Sequence, residues 1–548
     1  MYRFLISLLY LAAFAMPATS WAATSTSSDL AINVTAGPAT TGVQTPGPSL
    51  ALFNNPYYTC VRNFYVATNG SDSNNGSSPS TPWRTIAYYE SGTSPTAGDC
   101  VNVAPGSYSA FNGSISHGGT TASSTGYVVY RCTAPGADHN LPGGGGFSGS
   151  GCVINDGGKS VCAGSSAYCG SADPSYLIFD GFSFIAPAYN TFAVAIQGCY
   201  VGDTNASASC HHWIMVNNVI AGYGEAGIVE QNGDWFFALH NLIYANAAVP
   251  GCDAGSQGSG ISFVASSPLT GYTQTADDIG PTPKLGIYGS TNPNPFHQFI
   301  EFNVVYNNRV NCASGAATDG NGIILDTNDK SGGHTIQYPY RFLVAFNISY
   351  NNGGGNIHEI ASSNYTIANN TSFNGYLDPS DTGIARGSID LNAGFTQNGS
   401  ELVNNISWAI PGASPLNFNS SYLVGGGNNS GFYNGGTSCG LTVDGVATCG
   451  GNNISYTVGA SSSDVAVYNT NPAWSCTGNK CMTDPLWVNV GNTGGNTGSA
   501  GTMSTPPAGT NFALQSGSPA IGYGVTRPYL SPQSVDAGAC YHTLTSCP

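Results

Sequence analysis

The residues best suited to chemistry in this 548-residue chain lie in three neighbouring stretches. The first runs Thr318-Asp-Gly-Asn-Gly-Ile-Ile-Leu-Asp-Thr-Asn-Asp-Lys330 and contains Asp319, Asn321, Asp326 and Asp329. The second is Asn356-Ile-His-Glu-Ile360, with His358 and Glu359. The third is Arg386-Gly-Ser-Ile-Asp-Leu-Asn392, with Asp390. Three chemistries fit such a set. β-Elimination on an acidic polysaccharide needs a base to take the proton α to a uronate carboxylate, and a cation to neutralise that carboxylate. Lys330 or His358 would be the base, Arg386, Asn321 and Asn392 would contact substrate, and Asp319, Asp326 and Asp329 would offer oxygen ligands to Ca²⁺. Glycoside hydrolysis needs two carboxylates at about 5–5.5 Å or about 6.5–9.5 Å. Asp326 with Glu359 or Asp390 meets the longer range only if the strand register shifts. The third option is a face that binds glycan through Asn, Asp and aromatic contacts without cleaving it. Each residue also has a plainer reading. Asp319 precedes a glycine, as turn residues do; His358 can be a satisfied surface histidine and Lys330 a solvated loop lysine. His211-His212 reads as the start of a repeat unit before it reads as a metal site, and Trp83, Trp213, Trp235 and Trp408 read as core or stack caps.

What must position these residues is a repeat. An Asn-centred phrase recurs as Val216-Asn-Asn-Val219, Leu239-His-Asn-Leu242, Glu301-Phe-Asn-Val304, Ala345-Phe-Asn-Ile348, Ala368-Asn-Asn-Thr371 and Val403-Asn-Asn-Ile406. Its central residues Asn218, Asn241, Asn303, Asn347, Asn370 and Asn405 are 23, 62, 44, 23 and 35 positions apart. The two short spacings are single steps of a solenoid, the 44 reads as a double step, and the other two carry insertions. Short turn-bounded apolar runs and the lack of a 3.6-residue apolar period predict strands with little helix. Three short strands and three turns fill a coil of about 22 residues, and coils stack at about 4.8 Å. The repeated Asn is expected to form a ladder from coil to coil, in a turn whose left-handed backbone Asn tolerates.

A second strand recurs with Ile228, Ile261, Ile323, Ile357 and Ile389 as its aligned first isoleucines. With these pointing inward, Val229, Ser262, Ile324, His358 and Asp390 form one outer column, and Gln231, Val264, Asp326, Ile360 and Asn392 the next. His358 and Asp390 then lie about 4.8 Å apart in backbone terms, and Asp326 about 8 Å from His358. The register buries Glu230 and Glu359, which is costly without partners; a one-residue slip in the second stretch would expose Glu359 and bury His358 instead.

Two further segments carry a family resemblance. Phe64-Tyr-Val-Ala-Thr-Asn-Gly-Ser-Asp72, Asn75-Gly-Ser-Ser-Pro-Ser-Thr-Pro-Trp-Arg-Thr-Ile86 and Ala97-Gly-Asp-Cys-Val-Asn-Val-Ala-Pro-Gly-Ser-Tyr108 resemble the N-terminal coil of secreted right-handed parallel β-helix proteins of the pectate-lyase-like superfamily. Asp484-Pro-Leu-Trp-Val-Asn489, Phe512-Ala-Leu-Gln-Ser-Gly-Ser-Pro-Ala-Ile521 and Asp536-Ala-Gly-Ala539 are similar to their closing coil, except that Gly522 stands where those proteins have Asp. The Thr318–Asp326 phrase and Asn356-Ile-His358 also resemble segments of that group. The resemblance implies an all-β, single-domain, right-handed parallel β-helix and a carbohydrate-active function, with a lyase of acidic polysaccharide ahead of a glycoside hydrolase or an adhesion protein.

Bulk properties agree. Charged residues are 7% of the chain, 41% is hydrophobic, and the net charge of −16 disfavours nucleic acid, whose binding depends on Lys and Arg at phosphates. Sixteen cysteines fit an oxidising compartment. Cys152/Cys162/Cys169, Cys199/Cys210, Cys439/Cys449, Cys476/Cys481 and Cys540/Cys547 are close enough in sequence to pin loops. Residues 1–22 read as a signal peptide, with Arg3 before the short apolar run Phe4 to Met16. Residues 23–60 read as a low-complexity linker and 61–548 as the β-helix, with insertions at 265–296 and 415–482. The expected product is a monomer, secreted to the periplasm or the exterior, without a membrane span.

Overall fold

A computed structural model of the protein describes residues 58–109, 115–134, 151–155, 174–186, 194–199, 208, 210–247, 258–272, 296–310, 319–328, 337–362, 364–373, 375, 377–378, 387–392, 401–409, 511–524 and 536–540, together with strands at 161–162, 414–418, 442–443, 446–447, 454–457 and 487–489. The backbone winds through three parallel sheets in turn. One complete coil is Arg341–Ala345 in the first sheet, Ile348–Tyr350 in the second and Ile357–Ile360 in the third; the next coil resumes in the first sheet at Tyr365–Ala368. Among the described residues the first and second sheets have ten strands each and the third has eight. Strand, crossover and parallel strand within one sheet join with right-handed twist almost without exception in proteins. The described helix, Tyr88–Gly92, is a single short turn beside the first coils.

The chain turns each corner by the same device. At the corner between first and second sheets, a left-handed residue precedes the repeated Asn: Asn217, His240, Phe302, Phe346, Asn369 and Asn404 have φ between +52° and +58°. The left-handed residue is therefore the one before the ladder Asn. Each ladder Asn then turns into the coil interior. Asn303 Nδ2–H donates to Asn347 Oδ1 at 3.0 Å, the Asn303 backbone N–H donates to the same oxygen at 3.0 Å, and the same pattern links all six positions. Nδ2 also donates to a carbonyl of the preceding coil, as from Asn347 to Ile300 O at 2.8 Å. The buried ladder amides are thus paired, as an interior requires.

Two other corners repeat the arrangement. Ala245, Asn307 and Asn351 are left-handed and precede a second ladder of Asn246, Asn308 and Asn352. Ala265, Thr327 and Ala361 precede Ser266, Asn328 and Ser362, which bond from coil to coil. The Asn303–Asn347 pair is a direct contact between adjacent strands Phe296–Glu301 and Arg341–Ala345. The 44-residue spacing is therefore one coil with enlarged corners, not two coils.

Inside the coils lie stacked isoleucines and aromatics, including Ile228, Ile261, Ile323, Ile357 and Ile389 with Trp213, Phe236 and Phe342. A second apolar layer covers the outside of the first and second sheets. It is built in part by the C-terminal segment. Trp487–Asn489 and Asn511–Leu514 pair antiparallel, and Phe512 packs on Tyr350 and Phe373. Ala539 N–H donates to Thr371 Oγ1 at 3.0 Å. These residues form a cover across finished coils and not the closing coil that the sequence suggests. Gly522 has φ +66°, and its N–H donates to Asp536 Oδ1 at 2.9 Å.

Part of the stretch expected as an insertion at 415–482 belongs to the coils, since Ser414–Phe418 extends the third sheet and Ile454–Thr457 the second. Disulfide Cys60–Cys100 joins successive coils, whereas Cys132–Cys152 links the first- and second-sheet strands of a single coil, so Cys152 pairs with Cys132 and not with Cys162 or Cys169; Cys199–Cys210 closes a short loop. No described helix is long and apolar enough to cross a membrane.

Candidate functional site on the third sheet

The third sheet adopts the unslipped register. Ile261, Ile323, Ile357 and Ile389 are successive partners, and so are Ser262, Ile324, His358 and Asp390. Ile357 and Ile389 are in the core, which turns the His358 column to the outer face. His358 is 8% exposed, and Ile324 and Ser262 beside it are also buried, so this wall is a sheltered one. Asp326, partly exposed, ends the strand Ile323–Asp326 on the same face.

Glu359 faces inward, fully buried, and its Oε1 accepts the Ser362 backbone N–H at 2.6 Å. Glu230 does the same in the same inward column, three coils earlier. Its carboxylate accepts the Gly233 N–H and the Ser266 hydroxyl, the latter at 2.6 Å. Burial pushes the Glu230 carboxyl up to about 8, against the lowering effect of these two bonds. Both inward glutamates therefore serve the corner that follows their strand, and Glu359 is removed from the outer face. Asn321 is likewise committed. It is buried, its Oδ1 accepts the Gly355 N–H at 2.8 Å, and its Nδ2 donates to Asp319 and Ser259.

Asp319 and Asp326 stand at opposite ends of the strand Ile323–Asp326, which alone spans about 10 Å. Ca²⁺ ligands lie within about 2.6 Å of the ion, so one cation does not take both. Among the described residues no three His, Cys, Asp or Glu side chains converge. Asp390 and Asn392 are placed by backbone register, next to His358 and Ile360. Lys330, Asp329 and Arg386 lie outside the described residues.

The carboxylate spacing needed for hydrolysis is not drawn by this register. Asp326 and Asp390 are two coils and two residues apart, about 12 Å in backbone terms. His358 beside Asp390 is the arrangement the register does draw.

A polar cluster at the corner between the third and first sheets was not singled out by spacing. Asp234, fully buried, accepts from His297 Nδ1, the Leu269 N–H and the Tyr338 hydroxyl. Its neighbour His211 does begin a first-sheet strand, His211–Val216. Burial lowers the His211 pKa to about 4 and that of His212 well below the ordinary imidazole value, so both are neutral in mildly acidic to neutral solution.

A coil-to-coil ladder of buried polar side chains at each corner, asparagine at two of them, with three all-parallel sheets, decides the architecture. The chain is a parallel β-helix protein. No protein-family description matches the sequence, and no characterised protein matches it in sequence. Among solved structures, the β-helix is similar to pectate lyase Pel9A, at 15% identity and TM-score 0.39 over 88% of this chain and 97% of that one. It is also similar to a rhamnogalacturonan lyase, at 11% identity and TM-score 0.31 over 72% of this chain and 87% of that one. A GH136 lacto-N-biosidase from Eubacterium ramulus aligns at 11% identity and TM-score 0.27, over 72% of this chain and 55% of the other.

Proposed function

We propose that this β-helix protein is a secreted carbohydrate-active enzyme that cleaves an acidic polysaccharide by β-elimination on the outer face of its third sheet. The observation that carries the reading is the register that sets His358 beside Asp390, one coil away from Asp326. In the proposed reaction the imidazole takes the proton α to the uronate carboxylate, and the neighbouring aspartate favours the imidazolium that results. Electrons from the broken C–H bond form the C4–C5 double bond of the product, and the glycosidic oxygen leaves with a proton from solvent. Lys330 and Arg386, each within a few residues of a third-sheet strand in sequence, are proposed to neutralise the substrate carboxylate. Asp326 is the described carboxylate on this face that Ca²⁺ would use for the same purpose. The disulfides support export to an oxidising compartment.

The test is absorbance at about 235 nm, where unsaturated uronates absorb, during incubation with polygalacturonate, rhamnogalacturonan and alginate. A rising signal that disappears in His358→Ala supports the reading. New reducing ends without that signal assign hydrolysis instead, and glycan retention with neither signal assigns a binding protein.

A further inference from the structure

The outer wall of the third sheet carries aliphatic side chains around its carboxylates. One outer column runs Gln231, Val264, Asp326, Ile360 and Asn392 through successive coils. The column of His358 reaches it through Gln197, Val229, Ser262 and Ile324. Six of the described side chains in these columns are partly exposed: Gln197, Val229, Gln231, Val264, Asp326 and Ile360. Half of them are aliphatic. Asp326 lies between Val264 of the coil before and Ile360 of the coil after, about 4.8 Å from each in backbone terms. Ile360 also adjoins His358 along the strand, two residues on and on the same face.

The sequence bounds the positive charge that the coils and loops can bring to this wall. From Ala226 to Ser400 the chain has five Lys and Arg against thirteen Asp and Glu. Two of the five are engaged elsewhere. Arg341 is buried in the first sheet, donates to Thr366 Oγ1 and lies 5.1 Å over the Phe296 ring. Arg309 donates from Nε to Asn351 O at 3.2 Å, at the corner between second and third sheets. Lys284, Lys330 and Arg386 remain. The proposed elimination uses Lys330 and Arg386 on one carboxylate, that of the reacting uronate.

A homopolyuronate brings a carboxylate with every sugar. Those beyond the reacting one would meet Val264, Ile360 and Asp326, on a chain of net charge −16. A carboxylate pressed on aliphatic side chains loses water without gaining a partner, and one beside Asp326 is repelled. A neutral sugar turns C–H groups to the same side chains and keeps its hydroxyls in water or on the amides of the wall.

We propose that the third-sheet wall takes an acidic heteropolysaccharide, in which the reacting uronate is flanked by neutral sugars, in preference to a homopolyuronate. A neutral neighbour lies on Val264 and Ile360, and Asp326 between them rejects a second uronate. This rests on the reading of the wall as the glycan site, and the preference is measurable without cleavage.

The experiment compares initial rates at 235 nm on debranched rhamnogalacturonan, whose backbone alternates a neutral sugar with a uronate, and on polygalacturonate and alginate. Calcium is present throughout, the condition most favourable to a homopolyuronate. The alternating backbone is expected to be cleaved with kcat/KM at least about tenfold higher, and equal or faster cleavage of either homopolyuronate overturns the proposal. Raising NaCl from about 20 mM to about 200 mM is expected to narrow the ratio, because screening weakens the repulsion; a ratio that salt leaves unchanged also overturns it. Val264→Lys, which puts a cation beside Asp326, is expected to raise the polygalacturonate rate at least about threefold relative to the alternating backbone. Should that variant fold poorly, the salt series on the unaltered protein decides. Calorimetric titration of His358→Ala with hexagalacturonate and with a rhamnogalacturonan hexasaccharide reads the preference where no bond is cut. Tighter binding of the hexasaccharide supports the proposal, and equal or weaker binding overturns it. Absence of unsaturated product from every polymer, with that binding preference intact, would fail the elimination chemistry alone, whereas faster cleavage of polygalacturonate would fail the preference alone.

Discussion

His358 is the residue on which the proposed chemistry turns. Replacing it with alanine is expected to reduce uronate elimination on the order of a hundred- to ten-thousand-fold, the range for a lost general base. The fold is expected to persist with at most a modest drop in melting temperature, because the His358 side chain is buried on the outer face and not in the coil interior. Circular dichroism beside the 235 nm assay reads both. Glu230 makes a different prediction. Its carboxyl is held up at about 8 against an ordinary 4.5, so its stabilising effect is full below about 4.5 and is lost as pH rises through about 8. Burial pushes Glu301 up to about 8 as well, so the protein is expected to lose thermal stability between pH about 4.5 and about 8. Glu230→Gln should flatten that decline; an unchanged slope in melting temperature against pH would contradict the assignment. The outer placement of His358 was legible in the strand phrase, since Ile357 and Ile389 share a column. The fate of Glu359 was not, because alternation says a side chain points inward but not that a backbone N–H three residues on will meet it.

The elements owe their stacking to the corners as much as to the strands. Asn303 Oδ1 accepts both the backbone and side-chain N–H of Asn241, and Asn303 itself donates to Asn347. Asn303→Ala would orphan those two donors of Asn241, at about 1–3 kcal/mol for each buried group left unpaired. Denaturant unfolding is expected to show a drop in midpoint larger than for a surface Asn→Ala, and a neutral result would remove the ladder from the list of stabilising features. The first ladder was readable because its flanking residues recur around it. The second was equally present, five residues on at Asn246, Asn308 and Asn352, but its flanks vary. The third was hidden, since Ser266, Asn328 and Ser362 share a role and not a residue type. Left-handed backbone at the preceding position is filled by Ala, Thr, Phe, His or Asn, so no single letter marks it.

At the scale of the whole molecule, the outer apolar layer ties the ends of the chain to its middle. Truncation before Asn511 would uncover Tyr350, Phe373 and Ile406, each large apolar side chain accounting for about 1.5–3 kcal/mol of burial. The truncated protein is expected to melt lower and to aggregate, as scattering during a thermal ramp would show; an unchanged melt would mean that the coils are stable bare.

The sequence by itself determined the repeat, its build from short strands, and which residues share the His358 wall, because these follow from local periodicity summed over similar units. Only the tertiary structure decided that every Asn spacing is a single coil, that the C-terminal segment is a cover, and that Asp234, His297 and Tyr340 meet at one corner. Those outcomes depend on loops of unequal length, and on contacts between residues as far apart as Thr371 and Ala539, where no period in the chain links one partner to the other.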